Sequence, residues 1–207
     1  MSNFDCVMKK YIHFSLGVML AVATSSCNRV DWSKEELSII NASGELLRVL
    51  TVDNPEDSLF LRRPCEEIAP AALGSQTLNI LGDKMLATVT SPEQDGVGIA
   101  GPQVGISRRI VAVQRFDKQG EPFEVYPNIR IIARNGETVP GPEGCLSVPG
   151  RRGEVPRYQQ ITISYSLPPS GKLPVRDTTE NISGFTAVIF QHECDHLDGV
   201  LYTDYLN

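Results

Sequence analysis

"SGFTAVIFQHECDHLDG", residues 183–199, decides how this chain folds. Phe185, Val188, Ile189 and Phe190 give residues 183–198 the apolar density of a largely buried helix, and Gly199 stands in the usual left-handed cap position. His192 and His196 are four residues apart, about 400° of rotation, so both imidazoles leave one face about one turn apart. That separation lets two rings reach one cation. Glu193 follows His192 directly and is placed to reach a water on that cation without ligating it, which is the mechanical content of an H-E-x-x-H pattern. The competing account is chance, since few letters are fixed. The buried setting favours the metal, because buried histidine and glutamate need partners.

Two histidines do not complete a site. A tetrahedral centre with three protein ligands and one open position is the catalytic arrangement. The only other histidine, His13, lies in the N-terminal leader, so the third ligand is expected among cysteines and carboxylates. Cys145 in "PGPEGCLSVPG" (140–150) is the best candidate, because the flanking glycines and prolines let backbone come close to a site. Cys194 is the rival, although two residues from His192 it points to another side of the helix. Cys65 lies in the charged stretch "RRPCEEI" with no companion motif.

Outward from the helix, "LLRVLTVD" (46–53) has the density of a strand closed by Asn54-Pro55. "SQTLNILGDKMLATVT" (75–90) has helical apolar spacing with Ser75 as N-cap. "RRIVAVQRF" (108–116), "VYPNIRIIAR" (125–134) and "YQQITISYSL" (158–167) read as strands. The pattern predicts an α+β fold with several strands around a late, very apolar helix.

At 207 residues, 41% hydrophobic and 21% charged, the chain has the composition of one ordinary globular domain. Its net charge of −6, with no basic block, argues against nucleic acid as an obligatory partner. The first residues differ. Within "MKKYIHFSLGVMLAVATSSC" (8–27), two lysines precede an apolar run of about 14 residues and then small residues, the order of a secretory signal. The run is shorter than the roughly 20 residues a spanning helix needs. Thr24-Ser25-Ser26-Cys27 resembles a bacterial lipoprotein cleavage box, with Cys27 as the lipidation site. The expected division is a leader over 1–27, a tether or N-terminal extension over 28–45 and a catalytic domain over 46–207. The competing reading of the leader is a buried N-terminal helix. Of five cysteines, the body keeps Cys65, Cys145 and Cys194, an odd number suited to free thiols or metal ligands rather than to a disulfide framework.

Three stretches together carry a resemblance. "GVGIAGPQVG" (96–105), "EGCLS" (143–147) and "QHECDHLDG" (191–199) look like the three signature motifs of peptide deformylases, in the family's order. The resemblance extends from about Leu46 to Tyr205. It implies mixed or antiparallel sheets packed around a central helix bearing the histidines. It also implies removal of the formyl group from N-formylmethionyl peptides. Carried onto matching positions, Cys145, His192 and His196 hold one divalent metal ion, Fe2+ foremost, with Zn2+, Ni2+ or Co2+ able to occupy similar sites. Glu193 is the general acid/base. Gln103 and the backbone N–H of Leu146 bond the formyl oxygen. Gly98 lets the substrate backbone approach. Apart from the resemblance, Ile99, Ile189 and Phe185 are apolar residues available to line a side-chain pocket, and Ile99 is grouped with Gly98 as substrate-binding.

Two positions depart from the family pattern. Gly101 stands where alanine is usual, which is expected to loosen the loop, and Tyr205 stands where a basic residue is common. The leader and the family point to different addresses: an enzyme anchored in the cell envelope through Cys27, or a cytoplasmic one with the leader unprocessed. A second class of function is an envelope lipoprotein that only binds peptides, or a hydrolase of other short acylated peptides. The intact Glu193 disfavours the pure binder, which gains nothing from a general base. Oligomeric state leaves no signal in the sequence.

Overall fold

The computed structural model describes residues 32–206. The proposed leader, with Cys27, and residues 28–31 lie outside them. Residues 32–45, expected as a tether or extension, hold helix α1 (Lys34–Ile40), started by Ser33 and Glu36 in a reciprocal capping box. Trp32 and Ile40 enter the core, and Glu36, itself buried, takes two hydrogen bonds from Arg108 at 2.9 and 3.0 Å. That buried pair ties the segment to the body, and its loss on one side would strand a charge.

Residues 46–53 form no strand. Leu50 N–H donates to the Gln103 carbonyl (2.8 Å) and Val52 N–H to that of Ser147 (2.9 Å). The apolar run therefore bridges two loops of the site instead of joining one ladder. Helix α2 (Pro55–Leu61) follows, with Asn54 capping it and Pro55 in its first turn. Helix α3 (Gln76–Val89) is capped by Ser75 as its sequence predicts, and Leu78, Leu81, Met85 and Val89 bury one face.

Two antiparallel three-stranded sheets follow. The first orders β1 (Gly98–Ala100), β2 (Ile110–Gln114) and β3 (Phe123–Pro127). The second orders β4 (Arg130–Cys145), β5 (Val148–Leu167) and β6 (Arg176–Ser183). The predicted single strand over 125–134 is broken at Asn128, whose φ of 55° turns the chain and whose side chain bonds both the N–H and the carbonyl of Ile68. Strands β4 and β5 reach far beyond their predicted ends, as one hairpin turning at Leu146-Ser147. Prolines and glycines at 140–156 hide it from propensity. They are tolerated because β4 is an edge strand, and β5 pairs with β6 only from Gln160 onward.

Helix α4 (Phe185–Leu197) packs against strands of both sheets. Ile189, Phe190 and Leu197 join Tyr126, Ile161 and Ile163 in one apolar cluster, while α1 and α3 cover the other side of the first sheet in a second. The fold is the predicted α+β arrangement with the histidine helix at its centre. Gly199 ends that helix at φ 75°, and a β-carbon there would strike the Arg62 carbonyl.

Gly101 does not loosen its loop. It is fully enclosed, and a β-carbon on it would stand 2.7 Å from the Arg108 carbonyl oxygen and 2.8 Å from that of Ile106. Backbone cannot yield as a flexible side chain can, so Gly101→Ala is expected to cost about 1–3 kcal/mol, the usual range for overpacking. A denaturant midpoint equal to or above that of the parent chain would contradict this.

Candidate active site

The β4–β5 turn lays Cys145 against the histidine face of α4. Cys145 Sγ lies 3.2 Å from His196 Nε2, and the ligand atoms of Cys145, His192 and His196 all fall within 4.8 Å of one another. Metal–sulfur and metal–nitrogen bonds of about 2.3 and 2.0 Å imply donor separations of roughly 3.3–3.5 Å around a tetrahedral ion. The Cys145–His196 separation of 3.2 Å is near that spacing, and the other donor pairs lie within 4.8 Å. The two imidazole rings stand 5.1 Å apart at 77°, so their edges converge instead of stacking.

His192 Nδ1 faces Glu143 Oε2 at 2.8 Å, which leaves Nε2 for the cluster. Glu143 is held in turn by Arg157, at 2.7 and 3.1 Å, and Arg157 also donates to Asp195 at 2.6 Å. The ring of Tyr205 lies over that guanidinium, 4.8 Å away, and Tyr202 stacks on His192 at 6.1 Å. Glu143 and Arg157 were missed by the sequence reading. Their signal was available: a ligating histidine wants a carboxylate behind it, and Glu143 sits two residues before the cysteine ligand. Burial pushes His196 well below the ordinary imidazole range, so it is neutral, as a ligand must be.

Neither rival thiol joins the cluster. Cys194 is packed among Ile189, Phe190 and Leu197, and Cys65 lies at the edge of the same cluster. Burial pushes both thiols up to about 12, leaving them protonated and inert.

Glu193 is buried, and its Oε2 has no hydrogen-bond partner among the described residues. An orphaned carboxylate oxygen beside three convergent donors is what a cation and a water would satisfy. Burial raises its pKa to about 7, against the pull of His192, whose own burial is outweighed in the metal-free site by its bonds to Cys145 and Glu143, which hold it protonated until a metal binds. In the unfolded chain the group titrates near 4.5. Below pH 4.5 it is protonated in both states and its contribution is fully present. As pH rises through about 7 that contribution is lost, because folding then buries a charge. The metal-free Glu193→Gln variant should therefore be more stable than the metal-free parent at pH 8, by up to about 3 kcal/mol, and equal to it near pH 4. Urea melts in chelator at the two pH values test this; a pH-independent difference would contradict it.

Gln103 is fixed at the mouth of the cluster. Its Oε1 accepts from the Ala100 N–H (2.8 Å), so its Nε2 donates toward Ser147 Oγ (3.2 Å) and Cys145 Sγ (3.5 Å). These residues open into a cleft of about 840 Å³, lined near the cluster by Gly98, Leu146, Val188, Ile189 and Phe185. The Ile99 side chain does not line the cleft, contrary to its expected place in a side-chain pocket: alternation along β1 turns it into the core with Met85 and Ile110. Gly98 borders the cleft as expected, but its bare Cα also seats Glu193: a β-carbon there would collide with Glu193 Oε1 and stand 2.9 Å from Ile189.

Over residues 46–207 the chain matches the family model described as polypeptide deformylase. It is 39% identical over 147 residues to a peptide deformylase of Symbiobacterium thermophilum, covering 70% of this chain and 64% of that protein. With a peptide deformylase of Roseiflexus sp. it shares 35% over 173 residues, 77% of this chain and 88% of the other. The chain thus spans a little under two thirds of the first protein's length and most of the second's. Among solved structures, a Met-Ala-Ser-bound class I type b peptide deformylase from Acinetobacter baumannii superposes with a TM-score of 0.66 at 33% identity, covering 78% of this chain and 98% of that one. A Thermotoga maritima peptide deformylase gives 0.65 at 30% identity.

Proposed function

From the premise that the chain belongs to the peptide deformylase family, we propose that it hydrolyses the formyl group from N-formylmethionyl peptides, releasing formate and a free amino terminus. The observation that carries the reading is the buried, unpartnered carboxylate of Glu193 beside the Cys145, His192 and His196 donors. Those three residues would hold the divalent ion, and Glu143 and Arg157 would keep His192 turned toward it. When bound, such an ion acidifies water and polarises a carbonyl.

The chain's own groups supply the rest. Glu193 takes a proton from the attacking water as the new C–O bond forms at the formyl carbon. It gives that proton to the peptide nitrogen as the C–N bond breaks. Gln103 Nε2 and the Leu146 N–H receive the negative charge that builds on the formyl oxygen, where one such donor contributes about 3–4 kcal/mol. Ser147 and Ala100 hold the Gln103 amide in place beforehand, so little reorganisation is needed. Val188, Ile189 and Leu146 give an apolar wall for the methionine side chain.

Ferrous iron is the proposed ion. A thiolate with two imidazoles suits several divalent metals, so metal analysis of protein purified without oxygen is the direct measure. Cobalt-loaded protein should absorb through a thiolate-to-metal transition that Cys145→Ala lacks. Identical spectra would remove Cys145 from the ligand set.

The sequence of residues 8–27 further supports an envelope address, with the chain tethered through a lipidated Cys27. Mass spectrometry of the mature amino terminus tests it. A diacylglyceryl-cysteine at Cys27 is expected, and an intact leader would favour the cytoplasm.

A further inference from the structure

We propose that Arg151 and Arg152 form a carboxylate-recognising rim on the active-site cleft, selecting formylated peptides that carry a carboxylate a few residues downstream of the formyl group. This rests on the deformylase reading of the same cleft and adds a substrate class to it.

The cleft runs outward from Cys145 and Glu193, and both arginines line it. Both are exposed, and neither side chain has a hydrogen bond or ion pair among the described residues. Other arginines near the site are engaged: Arg157 by Glu143 and Asp195, Arg62 by Asp204. The acidic groups of the cleft sort the other way. Glu143 is consumed by Arg157 and His192, and Glu193 is the buried base. Only Asp95 remains to offset the two positive charges. The rim is thus net cationic, although the chain as a whole carries −6.

Placement makes the rim usable. Arg152 pairs across the hairpin with Gly144, the residue before the Cys145 ligand. Its side-chain stem crosses that glycine, with Cγ 3.7 Å and Nε 4.0 Å from where a β-carbon would stand. The missing side chain at 144 thus leaves a path for the arginine beside the reacting end. An extended chain advances about 3.3–3.6 Å per residue, so the carboxylate of a bound tripeptide lies about 10 Å from its amino terminus. A guanidinium fork without a competing partner binds carboxylate bidentately.

The test uses the full chain loaded with iron, and reads both binding and turnover. Product peptides Met-Ala-Ser and Met-Ala-Ser-amide are compared by calorimetry, and their formylated forms by kcat/KM. Met-Ala-Asp-amide, with its carboxylate on a side chain, is the third probe. The free acid should bind about two- to fivefold more tightly than the amide at low salt. The preference should appear in KM, shrink in high salt and fall to near one in Arg151→Gln/Arg152→Gln. An aspartyl amide that behaves as the free acid does places recognition on any downstream carboxylate; one that behaves as the neutral amide places it on the chain terminus. Equal affinity of the parent for all three, or a double variant that weakens acid and amide alike, overturns the proposal. Failure of every formylated peptide to release formate would strike the hydrolase reading, while the calorimetric comparison would still decide the rim.

Discussion

Glu193→Gln is expected to lower formate release from formyl-Met-Ala-Ser by about 10²–10⁴-fold, the range usual for losing a positioned general acid/base. The substitution keeps the size and hydrogen-bonding reach of the side chain, and the site tolerates a neutral group there because burial already disfavours its charge. Metal content should be unchanged, since Cys145, His192 and His196 are untouched. The loss should fall on kcat. In the parent enzyme a cation beside Glu193 favours its ionised form, so the acid limb of the pH–rate profile should lie below pH 7. The glutamine variant should lose that limb altogether. Residual turnover within tenfold of the parent would mean that another group moves the proton.

The second large effect comes from a residue with no side chain. Gly98→Ala is expected to cost about 100-fold in kcat, although it adds only a methyl group. The new β-carbon would meet Glu193 Oε1 and Ile189, so the carboxylate must move. Displacing a catalytic group by about 1 Å can cost 10²-fold. The buried helix behind Glu193 cannot retreat, because Phe190 and Leu197 are packed against both sheets' residues. Metal affinity should be nearly preserved, which separates this effect from damage to the cluster. A Gly98→Ala enzyme with normal kcat and a raised KM would instead assign Gly98 to the path of the substrate backbone.

The histidine helix was legible because three signals coincide over 183–199: burial, a four-residue spacing and a terminal glycine. Cys145 was legible through its motif and through the scarcity of histidine. The long hairpin that delivers it was not. Its prolines and glycines have low strand propensity, and only the edge position of β4 and the free edge of β5 near the turn make them acceptable. Residues 46–53 failed in the opposite way. Their apolar run satisfies two separate loops, and periodicity does not say where a backbone N–H will donate. Gly101 shows a third limit, since a glycine that relieves crowding and one that adds freedom look the same in sequence. Ile99 was expected in a side-chain pocket because it is apolar, whereas strand alternation turns its side chain into the core. The relay from Tyr205 through Arg157 and Glu143 to His192 joins residues up to 62 positions apart, and only the packed fold brings them together.

The most direct test of the central claim is formate release by the full chain as metal is titrated back. Protein stripped by chelator without oxygen would receive ferrous iron in increments, with formyl-Met-Ala-Ser as substrate and bound metal measured in the same samples. The rate should rise in proportion to occupancy and stop rising at one ion per chain. Metal bound to that stoichiometry by Cys145, His192 and His196, with no formate released, would contradict the account.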